Sequence, residues 1–208
     1  MSKGTLEVHK NGFRYRVKGT NIELIFNNIK HAFFARANNT LKVVLHFHLH
    51  DEILVANKKT QDVQFYTEVG ETSYAIGSGR ESYFSEDAER KDIRRTNEKF
   101  ARFVQAVENN CFIRFEEPNQ DEGFTGAPTR NNVLISPTEN CLVHLDETPW
   151  FILSLNEVHV AIFERVQLSL KNFDLTFVPK NFKKEIHISA IGMVNLEPIK
   201  TWLEFVFL

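Results

Sequence analysis

His46, His48 and His50 stand two residues apart, so on an extended strand their side chains share one face, opposite Leu45, Phe47 and Leu49. Two histidines at that spacing could both reach one zinc ion, at nitrogen–metal distances of about 2.0–2.1 Å. A catalytic zinc also needs an open coordination position and a base, and the chain has no His-Glu-x-x-His or Cys-x-x-Cys motif. The two cysteines, Cys111 and Cys141, make neither a disulfide framework nor a metal set. No Gly-x-Ser-x-Gly elbow and no Gly-x(4)-Gly-Lys phosphate loop occurs. The residues therefore predict no catalytic centre, no metal and no cofactor, and the histidines read as a polar ladder.

Cations offer a second chemistry. Lys10, Arg14 and Arg16 surround a predicted hairpin at Asn11-Gly12, with Arg14 and Arg16 on one strand face. That Lys-x(n)-Arg-x-Arg arrangement matches phosphate oxygens, which makes a phosphoinositide-binding adaptor the alternative function. Lys58-Lys59 and Lys183-Lys184 fall at turns between strands, and Lys30, Lys171 and Lys180 extend the basic set. Glu116-Glu117, Asp121-Glu122 and Asp146-Glu147 are the acidic counterparts, suited to Lys/Arg-rich partners.

Charge is divided unevenly. Residues 1–109 carry 17 basic and 14 acidic side chains, a net of +3, whereas 110–208 carry 8 and 13, a net of −5. The whole chain sums to −2, which argues against attraction of the entire molecule to nucleic acid or an anionic membrane. No run approaches the ~18 apolar residues of a membrane span. With no apolar leader after Met1 and few cysteines, a cytosolic or nuclear setting is expected.

Positioning these groups requires strands. Period-two alternation marks Leu6–Val8, Phe13–Val17, Ile22–Phe26, Ile29–Phe34, Leu41–His50, Ile53–Ala56 and Val63–Glu68. Gly70–Glu81 reads as an exposed loop. From Glu86 to Asn110 the period changes: Ile93, Phe100, Phe103, Val104 and Val107 form one stripe of an amphipathic helix. After a loop-rich connection over about 111–132, strands are predicted at Val133–Ser136, Cys141–His144, Phe151–Ser154, Val158–Phe163, Gln167–Leu170, Phe173–Val178 and Ile186–Ala190. A closing helix follows from about Glu197, with Pro198 in its first turn. Seven strands and a helix thus occur twice, without evident sequence identity between the halves. The 19 phenylalanines, against 4 Tyr and 2 Trp, are expected mostly in core positions. This pattern describes a pleckstrin-homology (PH) architecture, although periodicity alone leaves other small barrels open.

Several runs resemble the middle domain of the large subunit of the FACT histone chaperone. They include Gly4–Tyr15, Asn28–Phe34, Leu45–Leu49, Asp62–Glu71, Gly123–Pro128, Phe163–Gln167 and Leu170–Asp174, in order along nearly the whole chain. The resemblance implies a mainly β fold with two helices: tandem PH-like barrels, each closed by a C-terminal helix, over residues 1–110 and 111–208. It implies a nuclear, chromatin-associated, non-enzymatic module that binds core histones during nucleosome disassembly and reassembly, with a weak DNA contact and no membrane partner. Lys10, Arg14, Arg16, Lys30, Lys58, Lys59, Lys171, Lys183 and Lys184 would then be candidate histone or DNA contacts. Glu116, Glu117, Asp121 and Glu122 would be the acidic ones. The smaller FACT subunit would be engaged through regions outside this segment. Residues 72–95 follow the family poorly, and His50 stands where lysine is expected. The family's C-terminal histone-gripping segment and acidic tail lie beyond Leu208, so weaker histone binding than the full protein's is expected.

Overall fold

The computed structural model describes residues 3–17, 19–38, 41–69, 86–167 and 169–207. The chain divides into two units, Met1–Glu117 and Pro118–Leu208.

Unit 1 begins with an antiparallel meander, β1 (Thr5–His9), β2 (Gly12–Val17) and β3 (Thr20–Ile25). His9 pairs with Gly12, so the tight loop is Lys10-Asn11, one residue earlier than predicted. Gly12 is instead the first residue of β2, where any Cβ would collide with the Leu24 carbonyl of β3. A 3-10 turn at Phe26–Asn28 leads into β4 (Ile29–Ala35), β5 (Lys42–Val55) and β6 (Lys58–Glu68). After α1 (Glu86–Asn110) the short β7 (Phe115–Glu116) adds parallel to β4, giving the sheet order β6-β5-β4-β7.

The two strands predicted at Leu41–His50 and Ile53–Ala56 are one strand, β5, with a register shift between His48 and Ile53. The polar pair Asp51-Glu52 interrupts the alternation there. Asn28 braces the irregularity from outside: its side chain donates to the Asp51 carbonyl (3.0 Å) and accepts from the Asp51 amide (2.8 Å). Ala56 and Asn57, at φ 47° and 65°, form the two-residue turn into β6, as strand twist favours.

The inner faces of both sheets meet in one core. Phe13 and Leu24 from the meander pack with Ala32, Phe34, Leu45, Phe47, Leu49 and Val63 from the larger sheet. The Phe13 ring lies 4.9 Å from Phe47 and 5.2 Å from Phe26. The α1 stripe covers this core as its spacing predicts, with Val104 and Val107 buried and Ile93, Phe100 and Phe103 packed beside them. Asn97 docks the helix: its side chain bonds both the amide and the carbonyl of Ala37, each at 2.9 Å.

Unit 2 repeats the plan. A four-stranded sheet, β8 (Phe124–Gly126), β9 (Val133–Pro137), β10 (Cys141–His144) and β11 (Phe151–Ser154), precedes a 3-10 turn at Leu155–Glu157. The strands β12 (Val158–Glu164), β13 (Asn172–Pro179) and β14 (Ile186–Gly192) follow, then α2 (Leu196–Phe207). Leu196, Ile199 and Leu203 of α2 close a core of Phe124, Ile135, Leu142, Phe173, Leu175, Phe177 and Ile188. The strand predicted at Gln167–Leu170 belongs to the β12–β13 connection, where the Leu170 amide donates to the Gln167 carbonyl (3.0 Å). The connection expected over 111–132 holds the short strands β7 and β8. The predicted loop at Gly70–Glu81 lies outside the described residues.

The fold is therefore mainly β with two helices. Among the described residues each unit carries one three-stranded and one four-stranded sheet, and no sheet closes into a barrel. Most phenylalanines pack as expected, but Phe112, Phe182 and Phe205 are exposed.

The halves also share a short sequence repeat. Phe26-Asn27-Asn28-Ile29-Lys30-His31-Ala32-Phe33-Phe34-Ala35-Arg36 aligns without gaps with Leu155-Asn156-Glu157-Val158-His159-Val160-Ala161-Ile162-Phe163-Glu164-Arg165. Each copy opens with a 3-10 turn whose first amide donates to a hairpin asparagine carbonyl: Phe26 to Asn11 (3.0 Å) and Leu155 to Asn140 (2.8 Å). Each then has a register shift at the same place, Ile29/His31 and Val158/Val160. β4 and β12 are thus equivalent strands.

Candidate interaction surfaces

The histidine ladder forms a hydrogen-bonded polar cluster in unit 1. On β5, His46 and His48 face away from the core residues Leu45, Phe47 and Leu49, and His46 is fully buried. Both rings meet one carboxylate: Asp62 Oδ1 lies 3.2 Å from His46 Nε2 and 2.7 Å from His48 Nδ1. Gln64 Nε2 faces the other ring nitrogen of His46 at 3.5 Å, consistent with a proton on Nε2. Burial lowers the pKa of His46, and Asp62 only partly opposes it. Burial would raise the Asp62 carboxyl, but hydrogen bonds and charge from both histidines outweigh it and hold the group well below the usual carboxylate range. His46 and His48 thus serve as hydrogen-bond partners of Asp62, and His50 is exposed at the end of the ladder.

The predicted phosphate-binding hairpin is internally compensated. Across the meander Arg14 sits between Glu7 and Glu23 in register, and its Nε lies 2.9 Å from Glu23. Arg16 Nε lies 3.2 Å from Glu7. A phosphate would have to displace these carboxylates. Lys10 is exposed at the turn, while Lys30 is half-buried on β4.

Two of the acidic candidates are also engaged within unit 1. Glu116 lies 3.3 Å from His31, with both side chains one-tenth exposed. Glu117 takes two parallel hydrogen bonds from Arg36, each 2.8 Å, while the guanidinium rests 4.9 Å from the Phe34 ring centroid. Both pairs lock the β7 end of unit 1 onto β4. Asp121 and Glu122 are exposed in unit 2.

The lysine pairs occupy equivalent hairpins. Lys58 and Lys59 are exposed just after the β5–β6 turn, and Lys183 and Lys184 are exposed between β13 and β14. In the second hairpin Phe182, at φ 54°, is 68% exposed and meets the His159 ring edge-on at 5.1 Å. Lys171 is exposed just before β13.

A clamp in unit 2 escaped motif reading. Arg165, at φ 56°, sends two parallel hydrogen bonds to Asp174, Nε to Oδ2 at 2.5 Å and Nη2 to Oδ1 at 2.6 Å. The Ala190 amide, also at positive φ, adds a third at 3.0 Å. The Arg165 bond, more than burial opposes it, holds the Asp174 carboxyl below its ordinary range. The signal was the repeat itself: Arg36 and Arg165 align, each with its own carboxylate.

Residues 1–107 match the family model described as the FACT complex subunit SPT16 PH-like domain. The chain belongs to this SPT16 PH-like family. Residues 125–206 match a second model, the middle domain of the histone chaperone Rttp106-like family. The FACT complex subunit spt-16 of Caenorhabditis elegans is 44% identical over 209 residues, 96% of this chain and 20% of that protein. FACT complex subunit SPT16 of Zea mays is 40% identical over 218 residues, covering 97% and 21%. That of Dictyostelium discoideum is 38% identical over 212 residues, covering 97% and 20%. The chain thus spans about a fifth of the length of these SPT16 relatives.

Proposed function

We infer that this chain is a histone-chaperone module of the FACT type. It binds core histones by surface and charge complementarity during nucleosome disassembly and reassembly, without catalysis. The observation that carries this reading is the order of the two matches, an SPT16 PH-like domain followed by a histone-chaperone middle domain.

The chemistry of the surface supports it. The groups best suited to catalysis, His46, His48 and Asp62, spend their hydrogen bonds on one another. Exposed side chains of both signs remain: Lys10, Lys58, Lys59, Lys171, Lys183 and Lys184, with Asp121 and Glu122. A surface of mixed sign suits a nucleosomal partner that combines basic histones with DNA phosphates. The module works in the nucleus on chromatin, and the smaller FACT subunit is engaged by other regions of a longer protein.

Pull-down of the separate core histone pairs at about 150 mM salt, where exposed charges are already screened, tests the reading. Retention of at least one pair is expected. Loss of both rejects it. The phosphoinositide alternative predicts vesicle co-sedimentation that drops for Arg14→Ala plus Arg16→Ala.

A further inference from the structure

The sequence repeat makes β4 and β12 equivalent, yet their free edges differ. In unit 1 the edge of β4 away from β5 is taken by β7, which runs parallel to it with Phe115 beside Ala32 and Glu116 beside Phe33. In unit 2, β12 pairs with β13 alone, and among the described residues no strand lies against its other edge.

The residues along that edge differ to match. His31, which binds Glu116 of the added strand, aligns with Val160, and the fully buried Phe33 aligns with Ile162. Val160 and Ile162 are each 42% exposed. Arg36, which clamps Glu117 after β7, aligns with Arg165, whose guanidinium is turned to Asp174 instead. Edge strands are ordinarily blunted by charge, proline or a covering element, because unpaired backbone groups template another strand. β12 instead presents two β-branched apolar side chains at its centre, with Glu164 at its C-terminal end.

Charge marks the other end. The Lys180 amide donates to the Glu157 carbonyl (2.7 Å), and the contact of Phe182 with His159 holds the β13–β14 turn beside the start of β12. Lys180, Lys183 and Lys184 are exposed there, and among the described residues no carboxylate pairs with their side chains.

We propose that the open edge of β12 accepts an extended segment of a partner protein as an added parallel strand, with apolar side chains over Val160 and Ile162 and acidic residues at its N-terminal end against Lys180, Lys183 and Lys184. Strand addition supplies affinity through backbone hydrogen bonds, and alternate side chains supply specificity. Parallel direction follows β7 on β4, and it brings the segment's N-terminal end to the lysines. Such an acidic and apolar segment differs in charge from a histone tail, so this site stands or falls separately from histone binding.

The test titrates the isotope-labelled 208-residue chain with a short peptide, three acidic residues followed by alternating Val, Thr and Phe. Backbone amide shifts and slowed hydrogen exchange are expected along Val158–Glu164, with β4 unchanged. Ile162→Lys should weaken binding about tenfold or more, the equivalent of one buried Ile side chain. Val160→Thr, which keeps the β-branched shape, should weaken it in the same direction and guards against a folding defect in the first variant. Moving the acidic residues to the peptide's C-terminus should also weaken it. The proposal is overturned if β12 is unperturbed at about 1 mM peptide, or if both variants bind as well as the parent chain. A preference for a basic peptide overturns it too, as does duplex DNA that shifts the Lys180–Lys184 turn while the acidic peptide leaves β12 unprotected.

Discussion

Arg165 and Asp174 close the β12–β13 connection with a two-pronged ion pair, and the carboxylate is the buried partner: the Asp174 side chain is 7% exposed, that of Arg165 57%. The pair joins two of the runs that carry the family resemblance, Phe163–Gln167 and Leu170–Asp174. The first run supplies the guanidinium at a left-handed backbone position, and the second supplies its acceptor.

Arg165→Ala leaves that carboxylate with the Ala190 amide on Oδ1 and, 3.8 Å from Oδ2, the His187 ring. The carboxylate stays buried after its strongest partner is gone, so unit 2 should unfold at a lower urea concentration than in the parent chain. Urea unfolding followed by a probe in unit 2 measures it. An unchanged urea midpoint would mean the pair is merely a surface contact.

Unit 1 should lose stability in two stages on acidification. The folded-state pKa of His46 is lowered, so below about 6.5 the unfolded chain takes a proton that the folded chain resists, and stability falls. Asp62 is lowered from its ordinary value as well, so its contribution, present above about 4, is lost as pH falls further. Denaturation at a series of pH values from 7.5 down, compared with His46→Gln, checks the sign. The variant should lack the first stage.

Asn97→Ala should detach α1 from the β4–β5 connection. Two hydrogen bonds disappear and the buried Ala37 amide and carbonyl lose their partner, at a cost of about 1–3 kcal/mol. Hydrogen exchange at Ala37 should accelerate more than exchange in the meander β1–β3. Uniform acceleration throughout unit 1 would instead indicate global destabilisation without a local role.

Gly12→Ala places a Cβ against the Leu24 carbonyl, which is backbone and cannot rotate away. The meander must shift, at about 2–3 kcal/mol. A thermal midpoint equal to that of the parent chain would show that β2 and β3 separate at no cost.

The elements were legible in the sequence wherever local rules govern. Alternation marked the strands because successive side chains of a strand must take opposite faces, and the body of α1 was read because its stripe from Ile93 to Val107 follows the helical period. Asp51-Glu52 misled as a strand break, since the partner that sustains β5 across it is Asn28, 23 positions earlier. The repeat from Phe26 to Arg36 was present in the sequence but too short to outweigh the divergent remainder. Only the shared 3-10 turns and register shifts give its aligned residues a meaning.

The amino-acid order by itself determined the β-rich character, the two amphipathic helices, the doubling of the plan and the family. Those depend on periods and runs that the backbone reads within a few residues. Tertiary structure alone decided which charges remain available. Arg14, Arg16, Glu116 and Glu117 look free in the sequence and are paired in the fold, because strand register and the return of β7 set partners from distant positions side by side. The same cause leaves β4 covered and, among the described residues, β12 open.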